Sequence, residues 1–251
     1  MREGAAVMVE TEINWALVSA GLDADGHATL GRLLSDGQCN ALIDTYTDDA
    51  LYRSRIVMSR HGFGQGEYKY FANPLPPIIQ SLRELLYPGL AEIANRWESQ
   101  LGSDVRYPAT LSPFQDQCHA VGQTRPTPLI LKYEHGGYNC LHQDLYGAVH
   151  FPLQIVVLLS DPGRPGTSGS TVTSGDGDFE GGEFVLTEQR PRMQSRAQVL
   201  QLQRGVGVVF PVNNRPRQGV RGFYRVKQRH GVSTVLRGNR YSLGIIFHDA
   251  A

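Results

Sequence analysis

From about Thr127 onward the chain is written in the period of β-strands. "PLILKY", "FPLQIVVLLS", "GGEFVLTE", "AQVLQLQ", "GVGVVFPV", "RGFYRVKQRHGVSTVL" and "RYSLGIIFHD" are short, rich in β-branched and aromatic residues, and divided by Gly, Pro and Asn. No helical period intervenes, so these segments predict an antiparallel sandwich or barrel. The stretch "DPGRPGTSGSTVTSGDGDFEGG" interrupts them with Gly, Ser, Thr and Asp, so the 160–181 segment reads as a loop.

The first hundred residues read as mainly helical. "SDGQCNALIDTYTDDA" opens on Ser35 and Asp36 as capping residues. "PPIIQSLRELLYPGLAEIANRWESQLG" carries apolar residues at 78, 79, 82, 85 and 86 and again at 90, 93, 94, 97 and 101, which predicts two helices, with Pro88 in the first turn of the second and Gly102 at its stop. "SRHGFGQGEYKYFANPLPP" reads as a surface loop. The expected organisation is a mainly helical region, 1–105, packed on a β core, 106–251, as one structural domain; a chain of 251 residues is long enough for that.

No apolar run approaches the roughly 18 residues that span a bilayer, and the start "MREGAAVMVETEINW" lacks the apolar core of a secretory signal. Cys39, Cys118 and Cys140 form no CxxC pair, so neither a zinc knuckle nor a disulfide framework is indicated, and all three are expected as buried thiols. A cytoplasmic location, with no membrane contact and no evident protein partner, is the expectation. The net charge of zero hides an asymmetry: residues 1–50 hold nine acids against two arginines, whereas residues 189–240 hold twelve basic residues and no acid. Such a block argues for an anionic partner of the C-terminal half.

The residues that carry chemistry begin in "NCLHQDLYG". If this run is a strand, His142 and Asp144 share one face, with Leu141 and Leu145 on the other. His230 in "KQRHGVS" supplies a third ligand, and two histidines with one carboxylate form the facial triad that holds non-haem ferrous iron while leaving coordination positions open. A dicarboxylate co-substrate that chelates iron at one end needs a cation at the other, and the planar guanidinium of Arg240 can take a carboxylate bidentately. Ser242 lies two residues on, on the same strand face. Gly238 and Asn239 are expected to turn the Arg240 strand back beside that of His230, although strand parity alone leaves open whether the two side chains share a face.

With "HQD" at 142–144, "GGEF" at 181–184 and His230 followed by "RYSL" at 240–243, the sequence resembles the iron(II)- and 2-oxoglutarate-dependent dioxygenases. The longer runs "CLHQDLYG", "GGEFVLTEQRPRMQSR" and "RHGVSTVLRGNRYSLGIIFHD" resemble a bacterial branch of that superfamily labelled as oxidative demethylases of damaged DNA. The resemblance implies a mainly β chain with N-terminal helices folded as a double-stranded β-helix, or jelly roll. It implies His142, Asp144 and His230 as ligands of Fe(II), Arg240 as the anchor of 2-oxoglutarate, and Ser242 and Tyr133 as further hydrogen-bonding groups to it. The chemistry implied couples O2 and decarboxylation of 2-oxoglutarate, yielding succinate and CO2, to hydroxylation of a substrate C–H bond.

For a nucleic-acid substrate, Arg190, Arg192, Arg196, Arg215 and Arg217 lie in segments that read as loops and are expected to rim the mouth of the barrel, with Phe63, Tyr68, Tyr70 or Phe71 as stacking platforms for an extruded base. In "RGFYRVKQRH", alternation puts Arg221, Phe223, Arg225, Lys227 and Arg229 on the face opposite His230. The established alkylation-repair dioxygenases carry a second arginine at the position of Ile246, and the ending "GNRYSLGIIF" resembles the prolyl-hydroxylase type. Hydroxylation of a prolyl or other protein or amino-acid side chain is therefore the alternative activity, and a catalytically silent jelly-roll ligand-binding module is the alternative of another class.

Overall fold

The computed structural model describes residues 12–145, 147–162 and 177–251. Among the described residues four α-helices, α1 (Trp15–Asp25), α2 (Asp36–Asp44), α3 (Pro77–Gln100) and α4 (Leu111–Ala120), accompany strands β1 (Ala28–Arg32), β2 (Tyr52–Val57), β3 (Gly64–Gln65), β4 (Glu67–Phe71), β5 (Leu129–Tyr133), β6 (Tyr138–His142), β7 (Leu153–Leu158) and β8 (Phe179–Gly181). The strands continue with β9 (Phe184–Gln189), β10 (Arg196–Leu200), β11 (Val206–Pro211), β12 (Asn214–Gly219), β13 (Gly222–Val232), β14 (Val235–Gly238) and β15 (Arg240–Ile245). A large antiparallel sheet has the order β1-β11-β7-β15-β5-β4-β2, and a second has the order β10-β9-β13-β6-β3, with β12 added beside β13.

The two sheets face each other as a jelly roll. Tyr133, Val156, Leu158, Val208 and Phe210 from the large sheet meet Phe184, Leu186 and Val232 from the smaller one in a single buried cluster. The opposite face of the large sheet is covered by helices: Ile155, Val157, Leu243 and Ile245 pack with Leu82, Leu86, Tyr87, Leu90 and Phe114. That double cover explains why β7 is buried at all six positions and reads as an unbroken apolar run.

The expected start of α2 is met by the residue that prompted it. Ser35 caps α2, its Oγ accepting from Gln38 N at 3.3 Å while the Gln38 side chain accepts from Ser35 N at 2.9 Å. The segment 77–100, by contrast, is one helix with Pro88 inside it. Ile79, Leu82, Leu86, Leu90, Ile93 and Trp97 keep one continuous buried stripe across Pro88, and burial of that stripe outweighs the loss of a single N–H donor. Gly89, beside it, lets Trp15 pack onto the helix backbone, where a Cβ would collide with the indole.

The first 105 residues are also less helical than their pattern predicts. They supply β1 and β2 as the two edges of the large sheet, β4 next to β5, and β3 beside β6. The loop expected around "GEYKYF" is in fact β4. Its alternation is masked because Lys69, on the helix-facing side, is buried, with Nζ donating to the Tyr46 carbonyl at 2.8 Å and pairing with Asp49. "NNRPRQG", expected as a loop, is β12, hydrogen-bonded along β13 from Asn214↔Lys227 to Gly219↔Gly222. Of the 160–181 segment, residues 163–176 lie outside the described residues.

Candidate active site

β6 ends on His142, and β13 runs antiparallel beside it so that His230 lies directly opposite His142. The two rings stand 4.1 Å apart, centroid to centroid. Parity along β13 buries Val226, Gln228 and His230 and exposes Phe223, Arg225, Lys227 and Arg229, as alternation requires. Asp144 is not on a strand: the chain leaves β6 after His142 and curls the carboxylate back. The flanking leucines do not pack the site from behind, since Leu141 is 46% and Leu145 51% exposed. Gln143 holds the curl instead, its Nε2 donating to the carbonyls of Asn213 at 3.0 Å and Gln228 at 2.9 Å.

His142 Nε2 lies 3.5 Å from Asp144 Oδ1, and His230 Nε2 lies 3.1 Å from Asp144 Oδ2. Among the described residues these three are the one group of three or more metal-binding side chains whose ligand atoms converge, all within 4.8 Å of one another. His142 Nδ1–H donates to the Cys140 carbonyl at 2.8 Å, which leaves the Nε2 lone pair pointing into the site. Gln154 Nε2 donates to Asp144 Oδ2 at 2.9 Å. Burial opposes ionisation of Asp144, but the neighbouring His230 and His142 outweigh it and hold the carboxyl well below the usual range. Two imidazoles and an ionised carboxylate on one side of a cavity are a donor set suited to Fe(II).

Arg240 approaches from the other sheet. The expected turn beside β13 does not occur: β14 pairs with β8 as a separate ribbon, and β15 lies between β5 and β7, across the barrel from β13. Arg240 is opposite Tyr133 in the β15–β5 register, with its guanidinium carbon 5.6 Å from the Tyr133 ring centre and 5.8 Å from that of Phe179. Its Nη1 donates to Ser242 Oγ at 3.2 Å, its Nε has no partner, and among the described residues no carboxylate lies within ion-pair distance. Burial pushes its pKa down to about 10. A buried guanidinium without a counter-ion is costly, and an anionic ligand would remove that cost. Gly182 of "GGEF", at φ +63°, lies so close that a Cβ would fall 2.8 Å from Arg240 Cδ. Glu183 turns away from the site and bonds Ser233.

A cavity of about 370 Å³ joins these groups. It is lined by the two histidines and Asp144, by Phe184, Val232, Ser242, Tyr133 and Arg240, and by Phe63, Tyr68, Tyr70, Leu129 and Ile246; of these, Tyr70, Leu129 and Ile246 form one buried cluster with Tyr68 packed against it. The Tyr133 hydroxyl accepts from Asn139 Nδ2 at 3.2 Å. Two residues that the motifs did not reveal matter here: Gln154, whose one visible signal is a polar residue at an inward position of an apolar strand, and Phe210, whose ring sits 4.8 Å from His230. Cys140, expected to be buried, is exposed at the edge of the site.

The arginine rim is largely absent. Arg215 is fully buried, donating to the Asp23 carbonyl at 2.7 Å and pairing with Glu188. Arg190 and Arg217 pair with the same Glu188, at 2.9 and 3.1 Å. Glu188 stands one residue before the acid-free block and engages three of its twelve basic residues. Arg192 and Arg196 are exposed around the β9–β10 turn, and none of the five lines the cavity. Phe71 is also excluded as a platform: it is buried on the helix side and stacks on Tyr52 at 4.7 Å.

A jelly roll holding a His-Asp-His group opposite a buried arginine defines an iron(II)- and 2-oxoglutarate-dependent oxygenase, with O2 as the second co-substrate. The chain belongs to the family described as oxygenases catalysing oxidative methylation of damaged DNA, which matches residues 66–250. Two uncharacterized proteins of Mycobacterium tuberculosis, from strains CDC 1551 / Oshkosh and ATCC 25618 / H37Rv, are each 46% identical over 181 residues, covering 72% of this chain and 72% of their own. Among solved structures, the fold is similar to that of a Trichoplax adhaerens prolyl hydroxylase in complex with a hypoxia inducible factor peptide, with TM-score 0.54, 12% identity, and 94% of this chain and 89% of that one covered. It is also similar to a 2OG-Fe(II) oxygenase family oxidoreductase from Burkholderia pseudomallei, with TM-score 0.50, 17% identity, and 96% and 95% covered. Among the described residues no helix is long and apolar enough to cross a membrane.

Proposed function

We propose that the protein removes methyl groups from damaged nucleic-acid bases by hydroxylating the methyl carbon. The carrying observation is one cavity lined by a metal-binding triad, by a buried arginine that has no carboxylate partner among the described residues, and by the rings of Phe63, Tyr68, Tyr70 and Tyr133. In this reading His142, Asp144 and His230 hold iron, and Arg240 with Ser242 and Tyr133 receives the distal carboxylate of 2-oxoglutarate. Bound iron supplies the oxidising power released as 2-oxoglutarate is split to succinate and CO2. The chain's own part is positioning and exclusion of water. Gln154 and the Cys140 carbonyl orient the ligands, while Tyr68, Tyr70, Leu129 and Ile246 offer a largely apolar lining against which a base can pack. An oxygenase acting on an N-methyl group inserts oxygen into a C–H bond; the resulting N–CH2OH group then loses formaldehyde, so the base leaves demethylated. The unpaired thiols fit a cytoplasmic setting.

A second reading, hydroxylation of a prolyl or other protein side chain, is favoured by Ile246, which clusters with Tyr70 and Leu129 at the position where the established alkylation-repair dioxygenases carry a second arginine. The test is reconstitution with ferrous iron under anaerobic conditions, followed by succinate and formaldehyde measurement in air. N-methylated oligonucleotides and proline peptides are supplied in parallel. Formaldehyde in step with succinate supports demethylation, whereas peptide hydroxylation without formaldehyde replaces it by the second reading.

A further inference from the structure

β13 is longer than the barrel needs. His230 pairs across to Leu186, and Lys227 is the last β13 residue opposite β9; from there to Gly222 the strand is paired by β12 alone. Eight strand steps from His230 carry this two-stranded hairpin roughly 26 Å from the metal ligand. Its inner face is fastened to the body. Gln228 Nε2 donates to the Gly26 carbonyl at 2.9 Å, Arg215 grips the end of α1, and Val226 is buried, so the hairpin is a fixed shelf.

The outer face carries Phe223, Arg225, Lys227 and Arg229 in a row, all exposed, with Arg221 and the fully exposed Val220 at the tip. Cross-strand neighbours on that face are Gln218, Pro216 and Asn214 on β12 and Gln189 and Thr187 on β9, with no acid among them. Among the described residues none of these cations has an ion pair. An ordinary solvated sheet face intersperses both signs; here like charges repeat at about 6.6 Å intervals. A polymer with regularly spaced negative charge complements such a row, and the exposed ring of Phe223 in line with the cations calls for a partner that also presents flat apolar faces. Nucleic acid has both, and a single strand leaves its bases free to stack.

We propose that the outer face of the β12–β13 hairpin holds a single-stranded nucleic-acid segment flanking the target base. This rests on the nucleic-acid reading of the active site. Because Arg229 and His230 point to opposite faces, the row does not touch the base at the iron; it grips the strand farther along, so its effect must depend on substrate length.

The test uses the full chain and fluorescence anisotropy with single strands of about 4 and about 16 nucleotides, the range one strand-binding face covers. The triple variant Arg225→Gln/Lys227→Gln/Arg229→Gln should lower the slope of log affinity against log salt by about 2 on the longer strand, from three lost phosphate contacts. Phe223→Ala should weaken that strand roughly tenfold through lost stacking. Both variants should melt as the wild type does and raise KM for the longer methylated substrate but not for the shorter one. Wild-type affinity and salt slope in both variants would overturn the proposal, as would equal binding of a polyglutamate peptide of the same charge. If neither methylated strand drives succinate formation in the wild type, the active-site reading fails separately, whatever the anisotropy shows.

Discussion

Gln154 Nε2 donates to Asp144 Oδ2 at 2.9 Å, on the same oxygen that faces His230 Nε2 at 3.1 Å. The contact fixes a carboxylate that no strand holds. Partners of this kind typically contribute about 10- to 100-fold to metal affinity. Gln154→Leu, which keeps the volume and deletes the donor, is therefore expected to raise the ferrous iron concentration for half-maximal succinate formation by roughly that factor. An unchanged iron dependence would show that Asp144 is oriented by the curl at Gln143 alone.

Arg240 separates stability from function. Its buried guanidinium bonds Ser242 but faces no carboxylate among the described residues, so Arg240→Met should leave the ligand-free protein at least as stable as wild type. The same change should raise KM for 2-oxoglutarate by at least about 30-fold, the lower end of what loss of one partner of a buried charge pair costs. Thermal melts with and without 2-oxoglutarate read both effects, because only the wild type should gain stability from the ligand. A large loss of stability in the ligand-free variant would show that the arginine has a structural partner.

The strands of the jelly roll were legible because their alternation shows: β13 buries Val226, Gln228 and His230 and exposes the row between them, and β9 buries Phe184 and Leu186 with half-buried Val185 and Thr187 on the other face. β4 was hidden because Lys69 is buried where alternation leads one to expect an apolar side chain, with Tyr46 and Asp49 as distant partners that no local pattern reveals. The iron ligands were legible from spacing and residue type. Their geometry was not, because Asp144 reaches its place through tertiary bonds from Gln143 and Gln154 rather than through strand parity. The pairing of the arginines is invisible to the sequence for a related reason. Charge counts treat each cation as free, whereas Glu188 binds Arg190, Arg215 and Arg217 together.

Gly182 tests how tightly the "GGEF" turn and the co-substrate anchor are coupled. At φ +63°, an alanine Cβ would fall 2.8 Å from Arg240 Cδ and 2.9 Å from Val235 Cγ2. Gly182→Ala should cost about 1–3 kcal/mol of stability from the left-handed backbone alone. It should also displace Arg240 and raise KM for 2-oxoglutarate, while leaving the iron dependence near that of the wild type. Urea unfolding and separate titrations of the two ligands measure this; a rise in the iron requirement equal to that for 2-oxoglutarate would mean that the whole barrel end shifts.

His248 gives a pH dependence of known sign. It is fully exposure-free, its Nδ1 accepting from Phe151 N at 3.1 Å; burial, with the nearby His150, lowers its pKa from 6.5 to about 4. Between those values the unfolded chain binds a proton that the folded chain does not, so stability rises with pH across the window. The contribution is complete above pH 6.5, is lost progressively as pH falls toward about 4, and amounts to about 3 kcal/mol. Urea unfolding of the wild type between pH 4 and 7 should show this slope. His248→Gln, which keeps an acceptor for Phe151 N and removes the titration, should flatten it, and an equal slope in both proteins would assign the acid sensitivity to other groups.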